Sequence, residues 1–199
     1  MSSYCDVAPG NPIHAGYHDR EYGFPVDDEA VLFERLILEI NQAGLSWGLM
    51  LKKREGFRAA YDGFDIDKVA GYGGAERARL LNDPGIIRNR LKVNAAIVNA
   101  QRIVELRRDY GSFKGWIDAH HPLDKAEWVK LFRKTFKFTG GEIVGEFLMS
   151  TGYLPGAHRE TCPVHQEIAR IGPPWMIAVG MAVGGKAAAK KAAVKKAKK

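Results

Sequence analysis

Ten residues, Leu38-Glu39-Ile40-Asn41-Gln42-Ala43-Gly44-Leu45-Ser46-Trp47, bring together a carboxylate, an amide, a hydroxyl and an indole around a turn-forming glycine. Glu39 follows Leu32 by seven residues and Leu36 by three, so on a helix it shares the edge of their apolar face. A lone carboxylate there is costly unless paired, and desolvation raises its pKa. Its chemistry would be that of an acid or a charged acceptor beside an aromatic ring. The alternative is a structural glutamate paired with Arg35 one turn earlier.

A second group of residues has metal-ligand character. Cys5 and His18 have twelve residues between them, and His158 and Cys162 have three. The His-x3-Cys spacing puts both ligands on one metal from a helical turn or a tight loop. Two thiolates and two imidazoles make a closed tetrahedral zinc site. The pairs are about 140 residues apart, and inert cysteines with satisfied histidines are the alternative. His14, His120, His121 and His165 receive no metal role.

The elements that must position these groups are helical. Asp27 or Asp28 caps a helix reaching about Asn41, with Leu32, Phe33, Leu36, Ile37 and Ile40 facing a core. Gln42–Ser46 is a turn, and Ser46 caps a short helix running into Lys52-Lys53-Arg54. Further short helices are expected over Phe57–Tyr61, Ile66–Gly71 and Ala75–Asn82, the last stopped by Asp83-Pro84-Gly85. Arg88 or Asn89 opens a long helix to about Asp109, with Ala95, Ile97, Val98, Ile103, Val104 and Leu106 at helical spacing. A short helix contains Trp116. Asp124–Lys134, a hairpin at Thr135–Gly141 and Glu142–Thr151 follow, then Val164–Ile171. The first twenty-six residues read as loop, and Pro173-Pro174 should end regular structure. No alternating strand pattern or internal repeat is found, so the expected fold class is all-α.

Charge is uneven. Of 30 Lys and Arg, seven lie in the last fourteen residues with no acid, leaving 23 against 23 acidic side chains in the remainder. Residues 1–184 thus read as the domain and 185–199 as a disordered Ala/Lys-rich tail suited to sequence-independent, salt-sensitive phosphate binding. A merely solubilising tail is the alternative. The tract has almost no apolar anchor for a membrane, and the longest apolar run, Trp175–Val183, is too short to span one. No signal peptide is recognisable. Two cysteines make no disulfide framework, so a cytoplasmic, reducing setting is expected.

Tyr17-His18-Asp19-x-Glu21-Tyr22-Gly23, Leu38-Glu39-x-x-Gln42-Ala43-Gly44-Leu45-Ser46-Trp47 and Leu51-Lys52-Lys53-Arg54-Glu55 resemble the bacterial 3-methyladenine DNA glycosylase type I family. So do Phe64-Asp65, Gly85-Ile86-Ile87-Arg88-Asn89-Arg90-Leu91-Lys92 and Phe136-Lys137-Phe138. The resemblance runs from about Cys5 to Cys162. It implies a helix–hairpin–helix fold, a structural zinc on Cys5, His18, His158 and Cys162, and release of alkylated purine, 3-methyladenine first, from duplex DNA by a monomeric bacterial enzyme. Glu39 is then the catalytic carboxylate, assigned first to base recognition. Tyr17, Tyr22 and Trp47 form an aromatic base box, with Ser46 shaping it. Lys137, Thr139 and Gly140 meet a DNA phosphate. A zinc-stapled DNA-binding relative without catalysis is the alternative reading.

The chain departs from the family pattern at five places. Val7 and Tyr22 stand where tryptophan is usual, Thr135 where glycine is usual, Ala157 where aspartate is usual, and Met149 where glutamine is usual. The segment before the third metal ligand is one residue longer. Two of these changes touch the aromatic box.

Overall fold

The computed structural model describes residues 3–180, and the basic tail lies outside the described residues. Regular structure among the described residues is helical throughout, with no strand, as the spacing predicts. The helix that positions everything else is α3, Glu29–Gln42. (The two short helices before it are α1, Tyr4–Val7, and α2, Ala15–Arg20.) Asp28 caps α3 by accepting from the N–H groups of Ala30 and Val31, and Glu29 sits in the first turn. Its end comes at Ala43, followed by Gly44 in the left-handed region at φ +81°, which glycine adopts without steric cost.

Every residue of α3 from Leu32 to Asn41 is buried. Leu32, Phe33, Leu36, Ile37 and Ile40 form the expected apolar face. The opposite side, polar in sequence, is buried as well, under α4 (Trp47–Ala60) and α10 (Gly141–Ser150), with Tyr17 of α2 against Arg35. The long helix α7, Arg90–Tyr110, opens at Asn89, whose side chain accepts from Leu91 and Lys92 N–H groups. It packs on α3, on α5 (Ile66–Ala70), α6 (Gly74–Asn82) and α8 (Phe113–His120). An aromatic cluster of Phe113, Trp116, Phe132, Phe136 and Phe147 joins α8 to α9 (Lys125–Thr135) and α10.

Several sequence expectations need correction. The N-terminal arm is not all loop. α1 forms because Ser3 and Asp6 make a reciprocal capping box, a local device that outweighs the surrounding glycines and prolines. α4 is one helix of 14 residues, not two. Gly56 in its interior does not break it, because that glycine is needed for contact: a Cβ there would lie 2.6 Å from the Gly85 carbonyl oxygen. After α11, Pro163–Ile171, Pro173-Pro174 starts a helix rather than ending structure: α12 is Pro174–Ala178. Proline is well tolerated at a helix's first position, where its missing N–H would have no partner. On α7, Val98 is exposed, and buried Asn99 turns inward instead.

Asn99 has a specific task. Its amide nitrogen donates to the Lys137 carbonyl at 3.1 Å and its oxygen accepts from the Lys137 N–H at 2.7 Å. The connection 136–140 between α9 and α10 is thereby tied to α7. Phe138 holds φ +58° at its tip and is half-exposed.

Gly56→Ala gives a testable sign. In an open helix the change would stabilise by about 0.5–1 kcal/mol. Against the Gly85 backbone it is expected to destabilise by roughly 1–3 kcal/mol, as overpacking does, read as a lowered thermal midpoint.

Candidate active site and metal centre

Four polar side chains lie in the buried stretch of α3, and three have hydrogen-bond partners, with the Arg35 Nε–H alone left without one among the described residues. Asn41 donates to the Ile37 carbonyl at 2.8 Å. Glu34 accepts from Arg54 and Arg58 of α4. Arg35 donates to Glu21 Oε2 at 2.9 Å and to the Glu21 and Ser150 carbonyls, and its guanidinium lies 4.9 Å from the Tyr17 ring centroid. The pairing of Arg35 with Glu39 open from spacing is therefore not made; Arg35 is engaged by Glu21, whose carboxylate also receives Arg54 at 2.7 Å. These arginines hold the Glu21 carboxyl below its ordinary range.

Glu39 is the fourth. It is 3% exposed and has no hydrogen bond or ion pair among the described residues. It borders a cavity of about 440 Å³ lined by Tyr4, Tyr17, Tyr22, Gln42, Trp47, Glu142 and Glu146. Burial, aided by the charge of Glu146, pushes the Glu39 carboxyl well above its ordinary value. The walls are aromatic. Tyr17 and Trp47 have ring centroids 5.1 Å apart, Tyr17 and Tyr22 5.7 Å, and Tyr4 meets Tyr22 edge-on at 5.5 Å. The Trp47 indole N–H is buried and has no acceptor among the described residues. A cavity with an unpaired acceptor, an unpaired donor and flat aromatic walls suits a planar ligand rich in N–H groups.

The structure thus brings Tyr17, Tyr22, Glu39 and Trp47 to one place. Ser46 is not there. It is exposed and caps α4 by accepting from the Leu49 N–H at 3.3 Å, which orients the helix that carries Trp47. Val7 is 55% exposed and does not line the cavity; Tyr4 supplies an aromatic edge from the same helix. Sequence reasoning missed Tyr4, Gln42, Glu142 and Glu146. The available signal was that Glu142 and Glu146 are one turn apart, on one face of a helix that packs on α3.

Lys137, Thr139 and Gly140 lie in the α9–α10 connection. The Lys137 N–H is already donated to Asn99, and the Thr139 hydroxyl is buried and donates to the Phe136 carbonyl at 3.2 Å. Of these three, only Thr139 and Gly140 keep backbone N–H groups without an acceptor among the described residues, beside the α10 N-terminus.

The second cluster is Cys5, His18, His158 and Cys162, all buried, with ligand atoms within 4.8 Å of one another. Cys5 Sγ and Cys162 Sγ lie 3.6 and 3.7 Å from His158 Nδ1, and Cys162 Sγ is 3.9 Å from His18 Nε2. A tetrahedron with Zn–S of about 2.3 Å and Zn–N of about 2.0–2.1 Å has S···N edges of roughly 3.6 Å. The outer ring nitrogens are oriented for the task. His158 Nε2 donates to the Tyr22 carbonyl at 2.7 Å, and His18 Nδ1 donates to Asp19 Oδ1 at 2.7 Å. Each inner nitrogen is left with a lone pair toward the cluster, the arrangement that fixes metal-binding tautomers. Burial lowers the His158 pKa, which favours the neutral, ligating form.

With this geometry in view, comparison with known proteins is specific. The methyladenine glycosylase family model matches residues 7–166. DNA-3-methyladenine glycosylase 1 of Escherichia coli K12 is 34% identical over 173 residues, covering 75% of this chain and 90% of that protein. The DNA-3-methyladenine glycosylase of Haemophilus influenzae Rd is 32% identical over 182 residues, covering 82% and 98%. Among solved structures, 3-methyladenine DNA glycosylase I from Staphylococcus aureus superposes with a TM-score of 0.73 at 30% identity, covering 81% of this chain and 95% of that one. A variant of the same enzyme type in complex with 3-methyladenine gives 0.72 at 29%, covering 82% and 97%. The chain belongs to the methyladenine glycosylase family.

The Glu39 environment predicts a stability effect. A carboxyl raised in the folded state opposes folding as pH rises above its unfolded value near 4.5, because the folded chain then holds the proton more tightly. Glu39→Gln should therefore raise the thermal midpoint at neutral pH. The gain over wild type should shrink to nothing as pH falls below about 4, checked by melting curves across that range.

Proposed function

We propose that this protein is a monofunctional DNA glycosylase that excises 3-methyladenine from duplex DNA, with Glu39 as the base-recognising carboxylate. The observation that carries the reading is the buried, unpartnered Glu39 in an aromatic cavity, in a chain whose relatives are DNA-3-methyladenine glycosylases. It is a base-excision repair enzyme, and its reaction is hydrolysis.

The damaged base leaves the stack to enter the cavity, at a cost of a few kcal/mol that is least for a lesion with weakened pairing. Methylation at N3 makes the base in DNA a cation, so its glycosidic bond is already weak. Tyr17, Tyr22 and Trp47 give stacking and cation–π attraction, on the order of 0.5–2 kcal/mol per ring. Glu39 accepts a base N–H and supplies the complementary charge. Water attacks C1′, the C–N bond breaks, and its electron pair neutralises the departing 3-methyladenine. The attacking water releases its proton to solvent and leaves an abasic sugar. Binding the cation also lets Glu39 ionise, since positive charge offsets the desolvation that raises its pKa.

The helix–hairpin–helix reading places α9, the 136–140 connection and α10 on the DNA backbone. Thr139 and Gly140 offer their N–H groups to a phosphate, and the Lys137 side chain adds charge. The seven lysines of the tail add salt-sensitive, sequence-independent affinity.

Cys5, His18, His158 and Cys162 would hold a zinc ion whose role is structural, since four protein ligands fill a tetrahedron. The ion would join the α1–α2 arm to the start of α11. Because His158 is hydrogen-bonded to the Tyr22 carbonyl, the cluster also fixes one wall of the cavity.

Base release from methylated duplex DNA, resolved by chromatography, tests the reaction. Wild type should release 3-methyladenine; Glu39→Gln and Trp47→Ala should each lose roughly tenfold or more while remaining folded. Full activity in both variants would sink the assignment of the cavity. Metal analysis should find one zinc per chain, and its removal by a chelator should lower both the thermal midpoint and base release. A zinc-free protein of unchanged stability would overturn the structural role.

A further inference from the structure

Glu39 is not the cavity's only carboxylate. Glu146, on the inner face of α10, accepts a hydrogen bond from the Tyr22 hydroxyl at 3.0 Å and lines the same cavity. We propose that Glu146 is a second, specificity-determining carboxylate, and that with Glu39 it forms an anionic pair selecting bases by their positive charge. The proposal rests on the glycosylase reading for its substrate.

The geometry supports this in three ways. First, Glu146 has one hydrogen bond among the described residues, leaving acceptor capacity toward the cavity. Second, Tyr22 orients it: that ring is held by the His158 bond to its carbonyl and by edge contacts with Tyr4 and His158. Third, neither carboxylate has an ion-pair partner among the described residues, and the charges of Arg35 and Lys125 offset them only from a distance. Arg35 is committed to Glu21 and to carbonyls. Lys125 is bonded to the outer Glu142, at 3.4 Å, and Tyr4, Tyr17, Tyr22, Gln42, Trp47 and Glu142 are the other residues lining the cavity. Two like charges in a partly desolvated site repel each other, and both carboxyls are raised by burial, Glu39 also by the charge of Glu146. A bound cation relieves that repulsion; a neutral base of the same shape does not. Shape alone discriminates poorly between an adenine and its methylated form, whereas a full charge is a large difference.

The test compares 3,9-dimethyladeninium, a cation, with neutral 9-methyladenine as ligands of the full chain, by titration of tryptophan fluorescence. Wild type should prefer the cation. Glu146→Gln keeps an oxygen to accept from Tyr22 but removes the charge, and should lose about tenfold of that preference. Tyr22→Phe removes the orienting bond but keeps the ring and the charge, and should lose clearly less of the preference than Glu146→Gln. Wild-type preference in Glu146→Gln, or equal losses in the two variants, would overturn the proposal, since Glu146 would then act only through its hydrogen bond. If Glu146→Gln does not fold, Glu146→Ala is expected to show the same loss. Base release by wild type is measured alongside. Cation preference lost in Glu146→Gln, in a protein that releases no base, would support the pair and overturn the reaction.

Discussion

Burial of α3 on all sides is the constraint on which the rest of the molecule depends. A helix wholly buried in a protein of this size would ordinarily be apolar all round. This one carries Glu34, Arg35, Glu39 and Asn41 inside, and each must find a partner or pay a desolvation penalty. Arg35 is the hub of the solution. It draws in Glu21 from the segment after α2, the Ser150 carbonyl from the end of α10 and the face of Tyr17. Glu21 in turn receives Arg54, and Glu34 receives Arg54 and Arg58. A buried ion-pair network of this kind contributes little net stability compared with an apolar core. What it does here is fix three elements around one side of α3.

That fixed frame explains why one buried carboxylate remains unpaired. Arg35 is one turn from Glu39 and is the natural partner by spacing, yet its terminal amino groups are held by the Glu21 carboxylate and by the Glu21 and Ser150 carbonyls. The space that a partner would fill is the cavity. The protein therefore holds a group whose ionisation opposes folding, surrounded by aromatic rings and a second carboxylate, and offsets it with the packed core beneath. Such local instability is common where a site must be complementary to a ligand rather than to itself.

The cysteine–histidine cluster and the cavity are two ends of one piece of structure. His158 holds the Tyr22 carbonyl, and the Tyr22 hydroxyl reaches Glu146. One residue thus passes the position of the cysteine–histidine cluster to the wall of the site. The arm containing α1 and α2 is tied to the far end of the chain by that cluster, by Arg35 through Glu21 and Ser150, by the Asp6–Arg159 ion pair and by the Gly23 N–H bond to the Ser150 carbonyl.

The sequence by itself determined the helices and the candidate ligands, because both are carried by local signals. The cap at Ser46, the helix starts at Asp27 or Asp28 and at Arg88 or Asn89, and the apolar period of α3 are short-range facts, and the structure places the caps at Ser46, Asp28 and Asn89. The Cys and His pairs, and the Tyr17–Glu39–Trp47 set, were legible from residue type and resemblance. Only the tertiary structure decided what these residues touch. It sent Arg35 to Glu21, made Gly56 a contact rather than a break, and turned Asn99 inward where Val98 was expected. It also set Glu146 opposite Glu39. Periodicity states which side of a helix a residue occupies. Which partner fills that side, and whether a charge there is satisfied, depends on elements distant in the chain.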